Sequence, residues 1–177
     1  MDPYVLLIMD GVIELLETLS TEASTLPTTL TLWSNTVTLV RKSLVVDDSG
    51  YWRDDRVRKI LPVLAAQLGT PCTLRSAESQ KILADTMVAL ARVATDSAVL
   101  KALNLAVLMQ TRSEDARVRL RALGVADALW RDDGAGMHEF VAETESFILE
   151  CAEDDNDDVC KAARKLQKTV DKASASD

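Results

Sequence analysis

The sequence predicts an all-α protein in which helix pairs stack into an α-solenoid of about eight helices. Apolar residues recur at spacings of three and four along almost all of the 177 residues, which is the periodicity of an apolar helix face. Strand-like alternation is scarce, and only six glycines and four prolines interrupt the chain. The second half also repeats itself at a fixed interval, which is typical of solenoids.

Four helices are predicted in the first half of the chain. Their apolar stripes run from Val5 to Leu19, from Leu30 to Leu44, from Val57 to Leu68 and from Leu83 to Ala94. Pro27 suits the first turn of the second helix, but the Thr-Leu-Thr-Leu alternation beside it leaves a strand as the alternative. Residues 47–50 break the chain, Pro62 predicts a kink in the third helix, and Gly69 predicts its end.

Four further helices are predicted in the second half. Their stripes run from Val99 to Val107, from Val118 to Leu129, from Phe140 to Cys151 and from Val159 to Val170. Ser76 and Asp96 suit the N-caps of the fourth and fifth helices, and residues 113–115 open the sixth. Gly134 and Gly136 separate the sixth helix from the seventh.

Sliding the chain by 41 residues aligns the sixth predicted helix with the eighth. The matched pairs are Val118 with Val159, Ala122 with Ala163, Val125 with Leu166 and Leu129 with Val170. The preceding helices align as well, with Leu108 on Leu149. A two-helix unit of about 40 residues is typical of HEAT and armadillo arrays. We therefore predict one module over 1–177, with degenerate helical repeats at 3–95, a HEAT-like repeat at 96–135, a terminal HEAT-like repeat at 136–173 and a polar tail at 174–177.

Charge and composition argue against several classes of protein. The chain has 28 acidic and 20 basic residues and a net charge of −8, which argues against nucleic-acid binding along its whole surface. Its longest charge-free stretch, residues 23–40, contains six threonines and two serines, so no membrane span is predicted. No basic segment precedes the first apolar run, so no secretory signal is expected.

The residue types that carry catalysis or bind metals form no constellation in the sequence. Cys72, Cys151 and Cys160 form no CxxC pair, and His138 is the only histidine, so no Cys/His zinc site is expected. His138 lies in a glycine-rich turn and lacks the second histidine of a zinc-protease helix. We therefore expect no catalytic residues, no metal ligands and no cofactor.

Four arginines are the first candidate binding feature. Arg117 and Arg121 lie on one flank of the sixth helix's apolar stripe and Arg119 on the other, with Arg112 in the preceding turn. Together they could form a local basic stripe that contacts a partner or RNA. Ion pairs with acidic residues of adjacent repeats are the structural alternative, which we favour.

Tyr51 and Trp52 are the second candidate binding feature. These adjacent aromatic residues lie in the Asp/Gly break between the second and third helices. They either cap the side of the solenoid, which is the interpretation we favour, or form an exposed anchor for a partner.

Several short segments of the chain have an order and spacing that point to one family. They are Leu32-Trp33, Asp47-Asp48-Ser49-Gly50-Tyr51-Trp52, Leu61-Pro62, Ala102-Leu103-Asn104, Val118-Arg119 and Glu139-Phe140. In these segments the chain resembles the C-terminal region of a large HEAT-repeat ribosome-assembly family. This is the family of small nucleolar RNA-associated protein ten, whose human relative is HEAT-repeat-containing protein one. The resemblance covers about residues 32–170.

The resemblance implies a non-enzymatic scaffold of the small-subunit processome, the nucleolar particle that assembles on pre-ribosomal RNA. It implies contacts with other early processome subcomplex proteins, a role in pre-rRNA transcription and processing, and a location in the nucleus and nucleolus. The pre-rRNA or snoRNA particle is a further expected partner, whereas no membrane and no small-molecule substrate are expected. Members of the family are far longer, so the chain is expected to be the C-terminal end of a longer array.

Two alternatives to this scaffold role remain open. One is a direct pre-rRNA-binding helical module that uses the arginine stripe. The other is a HEAT adaptor of an unrelated complex, for instance in transport.

Overall fold

The computed structural model describes residues 3–21, 26–47, 50–132 and 136–175, with only the backbone described for residues 3–7. Every regular element within these ranges is a helix, which confirms the all-α prediction. The α-helices are α1 (Pro3–Thr21), α2 (Pro27–Val45), α3 (Asp54–Ala66), α4 (Pro71–Arg75), α5 (Ala77–Val93), α6 (Ser97–Leu108), α7 (Ala116–Trp130), α8 (Val141–Ala152) and α9 (Asp157–Ser174). Turns of 3₁₀ helix follow α3 (Gln67–Gly69), follow α6 (Met109–Arg112) and precede α8 (Met137–Phe140).

The described ranges contain nine α-helices instead of the predicted eight because α4 was not predicted. With five residues, α4 is too short to show a periodic apolar stripe. Local signals nevertheless build it, since Pro71 occupies its first turn and the Thr70 hydroxyl accepts a hydrogen bond from the Thr73 N–H at 3.4 Å.

The segment with strand-like alternation is helical, as the wider apolar spacing predicted. Trp33, Val37, Val40 and Leu44 recur at three- and four-residue spacings and are all buried on one face of α2. Burial of that face outweighs the strand preference of the β-branched residues around it, because tertiary packing overrides local propensity.

The predicted N-caps form as hydrogen bonds. The Ser76 hydroxyl accepts from the Ser79 N–H at the start of α5, and the Asp96 carboxylate accepts from the Ala98 N–H at the start of α6. The predicted third-helix stop also forms, because the 3₁₀ turn after α3 ends at Gly69.

The helices form two parallel layers. In one layer α1 packs on α3, α3 on α6 and α6 on α8; in the other α2 packs on α5, α5 on α7 and α7 on α9. The layers are joined by the pairs α1–α2, α3–α5, α6–α7 and α8–α9. Each pair therefore buries one apolar face against its mate and another against the next pair, which is the architecture of a HEAT-type α-solenoid.

The repeat is longer in the first half of the chain. In the second layer α5 begins at Ala77, α7 at Ala116 and α9 at Asp157, which are intervals of 39 and 41 residues. From the start of α2 at Pro27 to that of α5 the interval is 50 residues.

One predicted equivalence is wrong by a single residue. Leu108 is fully buried, whereas Leu149, its predicted equivalent, is 67% exposed. Ile148 is buried, and Asn104 binds Thr144, which lies 40 positions later. The interval between α6 and α8 is therefore 40 residues, which pairs Leu108 with Ile148 and leaves Leu149 on the surface.

Polar contacts link equivalent positions of successive helix pairs. The linked residues, 38 to 44 positions apart, are Arg41 with Asp85, Asp54 with Thr95, Arg58 with Asp96, Arg92 with Asp132, Ser97 with Glu139, Asn104 with Thr144 and Asp127 with Thr169. The interval recognised in the second half thus extends into the first half as a spatial relation between helix pairs.

The two ends of the solenoid differ in surface chemistry. Leu32 and Leu39, spaced by seven residues on α2, are 45% and 41% exposed, and Val46 follows at the end of the helix. The solvent-facing side of α9 is charged instead; its exposed residues include Asp157, Asp158, Lys161, Arg164, Lys165, Lys168, Asp171 and Lys172. A polar outer face of this kind is typical of the terminal unit of a repeat array.

Part of the predicted breaks lies outside the described residues. These are Asp48 and Ser49 of the first break, Gly134 of the second, residues 176–177 of the polar tail, and the side chain of Val5. The two described break glycines, Gly50 and Gly136, have φ values of 66° and 60°, a backbone conformation that favours glycine. Among the residues that the structure describes, no helix has both the length and the apolar composition that a membrane crossing needs.

Candidate binding surfaces

Arg112 binds across to α8. Its guanidinium donates two hydrogen bonds to the Glu150 carboxylate, at 2.8 and 2.6 Å, and its Cζ lies 4.5 Å from the centre of the Phe147 ring. The hydrogen bond raises the pKa of Arg112 and lowers that of Glu150. This arginine therefore joins two successive repeats.

Arg119 makes the most shielded ion pair of the four arginines. Its guanidinium donates to both oxygens of Asp154 at 2.7 Å and to the Ser113 and Glu114 carbonyls. The two charged side chains are only 16% and 10% exposed. The hydrogen bond from Arg119 lowers the pKa of Asp154.

Arg117 and Arg121 bind closer to their own helix. Arg117 pairs with Asp115, the residue that caps α7, at 2.7 Å. Arg121 lines a cavity of about 260 Å³ between α5 and α7 and donates to the Thr73 and Leu74 carbonyls at 3.1 and 3.0 Å. Burial lowers the pKa of Arg121, and its contacts satisfy carbonyls at the end of α4.

The four arginines are thus each engaged by groups of this chain. Arg112 and Arg119 connect neighbouring repeats through carboxylates, which is the arrangement that the structural alternative describes. Their role in RNA binding stays a prediction.

Tyr51 and Trp52 are buried, at 7% and 5% exposure. The Asp47 carboxylate accepts hydrogen bonds from both of their backbone N–H groups, at 3.0 and 2.7 Å. The Trp52 indole N–H donates to the Ser43 hydroxyl, and the Arg56 guanidinium lies 4.1 Å above the Tyr51 ring. In this conformation the two rings close the side of the solenoid between α2 and α3.

The remaining reactive residue types lie apart from one another. His138 is exposed in the 3₁₀ turn before α8. Cys72 and Cys151 are buried, and burial raises the pKa of both thiols. Across the described ranges, no three histidine, cysteine or acidic side chains group closely enough to hold a metal ion.

A continuous row of basic residues lies on α9. The row consists of Lys161, Arg164, Lys165, Lys168 and Lys172, which share one face at helical spacing. Lys161 pairs with Asp158 and Lys165 with Asp127. Arg164 and Lys168 make no ion pair with any residue that the structure describes.

A groove between α6 and α8 was missed in the sequence. It has a volume of about 370 Å³, and its lining includes Leu105, Leu108, Ala142 and Phe147. Leu105 is 45% exposed. The only sequence signal was the position of Leu105, which falls between the buried stripe residues instead of on the stripe.

Comparison with known proteins relates almost the whole chain to one group. The chain is 30% identical over 173 residues to U3 small nucleolar RNA-associated protein 10 of Schizosaccharomyces pombe, which is 95% of this chain and 10% of that protein. The chain is homologous to a segment of the U3 small nucleolar RNA-associated protein 10 family. This confirms the resemblance seen in the sequence.

Two further relatives of the U3 small nucleolar RNA-associated protein 10 group carry the name HEAT repeat-containing protein 1 homolog. The Drosophila melanogaster protein is 32% identical over 111 residues, and the Dictyostelium discoideum protein is 29% identical over 140 residues. These matches cover 63% and 76% of this chain, and the chain spans only 5 to 10% of the length of the three relatives. No protein-family model and no solved structure matches the chain.

Proposed function

We propose that this chain is a non-enzymatic scaffold module in ribosome biogenesis. In this proposal it forms the C-terminal end of a longer HEAT array and acts through protein–protein contacts in the small-subunit processome of the nucleolus. The observation that carries the proposal is homology over 95% of the chain to a protein named for its association with U3 small nucleolar RNA.

The arrangement of charges supports a scaffold role. The lowered pKa values of Asp54, Asp154 and Glu150 arise from hydrogen bonds to Thr95, Arg119 and Arg112, all of which connect neighbouring helix pairs. Charge in these contacts stabilises the stack. A stacked array of helix pairs offers an extended surface for partners.

A pull-down from nuclear extract tests the proposal. The tagged chain serves as bait, with and without ribonuclease, and the core variant Leu166→Asp serves as the control for capture that needs the folded protein. We expect processome proteins to stay bound after ribonuclease and to be lost with the variant. Recovery of transport factors alone would favour the unrelated-adaptor alternative and contradict the proposal.

Direct RNA binding is the second candidate function, and the basic row on α9 favours it. Its five residues span about 16 Å at 1.5 Å per residue, and cations arranged along a line suit a phosphate backbone. We expect R164Q/K168Q to weaken binding of a single-stranded RNA and to reduce its salt dependence. Stronger weakening by R112Q/R117Q would assign the contact to the arginine stripe predicted from the sequence.

A further inference from the structure

The groove between α6 and α8 is held open by an ion pair near each end. Lys101 Nζ lies 2.5 Å from Glu143 Oε1 at one end, and Arg112 binds Glu150 at the other. Both pairs run from the α6 side to α8. Because they fix the two helices relative to each other, the groove exists before anything enters it.

The surface around the groove is apolar. Leu105 and Met109, four residues apart, are 45% and 47% exposed on one side, and Leu149 is 67% exposed on α8. Phe147 and Leu108 lie beneath them in the lining. Three large apolar side chains rimming a groove are typical of a docking surface.

A polar group in the groove lacks a partner. Asn104 is 1% exposed and lines the groove, and its Nδ2 donates to the Thr144 hydroxyl at 3.1 Å. Its buried Oδ1 accepts no hydrogen bond from the residues that the structure describes. Buried acceptors are normally paired, so a donor carried into the groove would complete this one.

The charge beside the groove is strongly negative. From Val141 to Asp158 the chain has eight acidic residues and no basic one. Glu153 and Asp155 are exposed and make no ion pair within the described part of the chain. An occupant with basic residues beside its apolar face would complement this potential.

We propose that the α6–α8 groove binds a basic amphipathic helix of a partner protein. Apolar side chains at i and i+3 or i+4 of that helix enter the groove between Leu105 and Leu149, and its lysines or arginines face the carboxylates of α8 and the following turn. The inference rests on the proposed scaffold function and names the class of protein that the scaffold holds.

Binding of a designed peptide tests the groove. The probe is a fluorescent helix of about five turns with leucines along one face and lysines elsewhere, and its anisotropy is measured against the full chain. We expect the double variant Leu105→Ser with Leu149→Ser to bind about tenfold more weakly. The matched control, Leu32→Ser with Leu39→Ser on α2, removes leucines of similar exposure and should leave the affinity unchanged.

Charge is tested on the same probe. Glu153→Gln with Asp155→Asn should weaken binding and reduce its salt dependence, whereas Glu14→Gln with Glu17→Gln on α1 should not. Equal affinity for a peptide with glutamates in place of lysines, or with scrambled leucines, would overturn the proposal. So would equal loss in the α2 control or no binding at all.

Two further outcomes reassign the groove. Self-association in sedimentation that disappears in the Leu105→Ser, Leu149→Ser variant would make a second copy of this chain the occupant. Capture of RNA that the same variant abolishes would make RNA the occupant. If the peptide fails while processome proteins remain bound in the pull-down, only the groove assignment falls; the converse rejects only the proposed function.

Discussion

The Arg119–Asp154 pair is the single contact whose loss should affect stability most clearly. Replacing Arg119 with glutamine leaves the carboxylate of Asp154, 10% exposed, without its cation. Removing one member of a shielded pair costs more than the pair itself contributes. We expect Arg119→Gln to lower the free energy of unfolding by about 1–3 kcal/mol in urea titrations. Arg117→Gln, at an exposed pair, is the control and should change it less; an equal effect would contradict the prediction.

Acid should weaken the same contact. The pKa of Asp154 in the folded protein is lowered by its hydrogen bond with Arg119, so the ionised carboxylate stabilises the fold above its unfolded pKa of about 3.9. That contribution is lost as the pH falls through the folded pKa. Urea midpoints measured from about pH 7 down to about pH 3 should therefore converge between the native chain and Asp154→Asn. A difference that persists at the lowest pH would show that charge is not its source.

At the level of the helix, the start of α9 depends on Asn156. Its side-chain oxygen accepts from the Asp158 and Val159 N–H groups, at 3.0 and 3.3 Å. We expect Asn156→Ala to cost about 1 kcal/mol of unfolding free energy and Asn156→Gly only a few tenths. Thermal unfolding followed by circular dichroism measures both variants. Equal losses would mean that the cap contributes nothing beyond backbone geometry.

The helices themselves could be predicted because each long one has a buried stripe and a local start signal. Ser76 and Asp96 show this, since a short polar side chain before an apolar run is enough to define a helix start. The helix α4 could not be predicted, because five residues carry no period. Leu149 was misplaced for a related reason: a shift of one residue between equivalent helices is invisible in a pattern that tolerates spacings of both three and four.

The partners of the candidate site could not be predicted from sequence either. Spacing along one helix places Arg112 and Arg119 near the apolar stripe, but their acceptors, Glu150 and Asp154, lie 38 and 35 residues later. Which carboxylate each arginine reaches depends on how two repeats stack. The α6–α8 groove likewise exists only once two helices that are not consecutive lie side by side.

At the scale of the whole molecule, stability should be distributed along the stack. Each helix pair contacts mainly its neighbours, so damage in one pair should spread little. We expect Leu16→Ala, at a fully buried position of α1, to lower amide protection in α1 to α3 and to leave α7 and α9 unchanged. Hydrogen exchange read by mass spectrometry checks this. A uniform loss of protection would show that the chain unfolds as one unit.

The regular separation of the cross-repeat contacts also determines how the molecule would respond to tension. Contacts such as Arg92–Asp132 and Asn104–Thr144 each join residues 40 positions apart, so a force applied to the two termini is borne by successive units in series. Breaking one unit would release about 140 Å of contour length for some 40 residues while the next unit still held. Under load the protein would lengthen in discrete steps, as a tether whose extension counts the repeats that have opened.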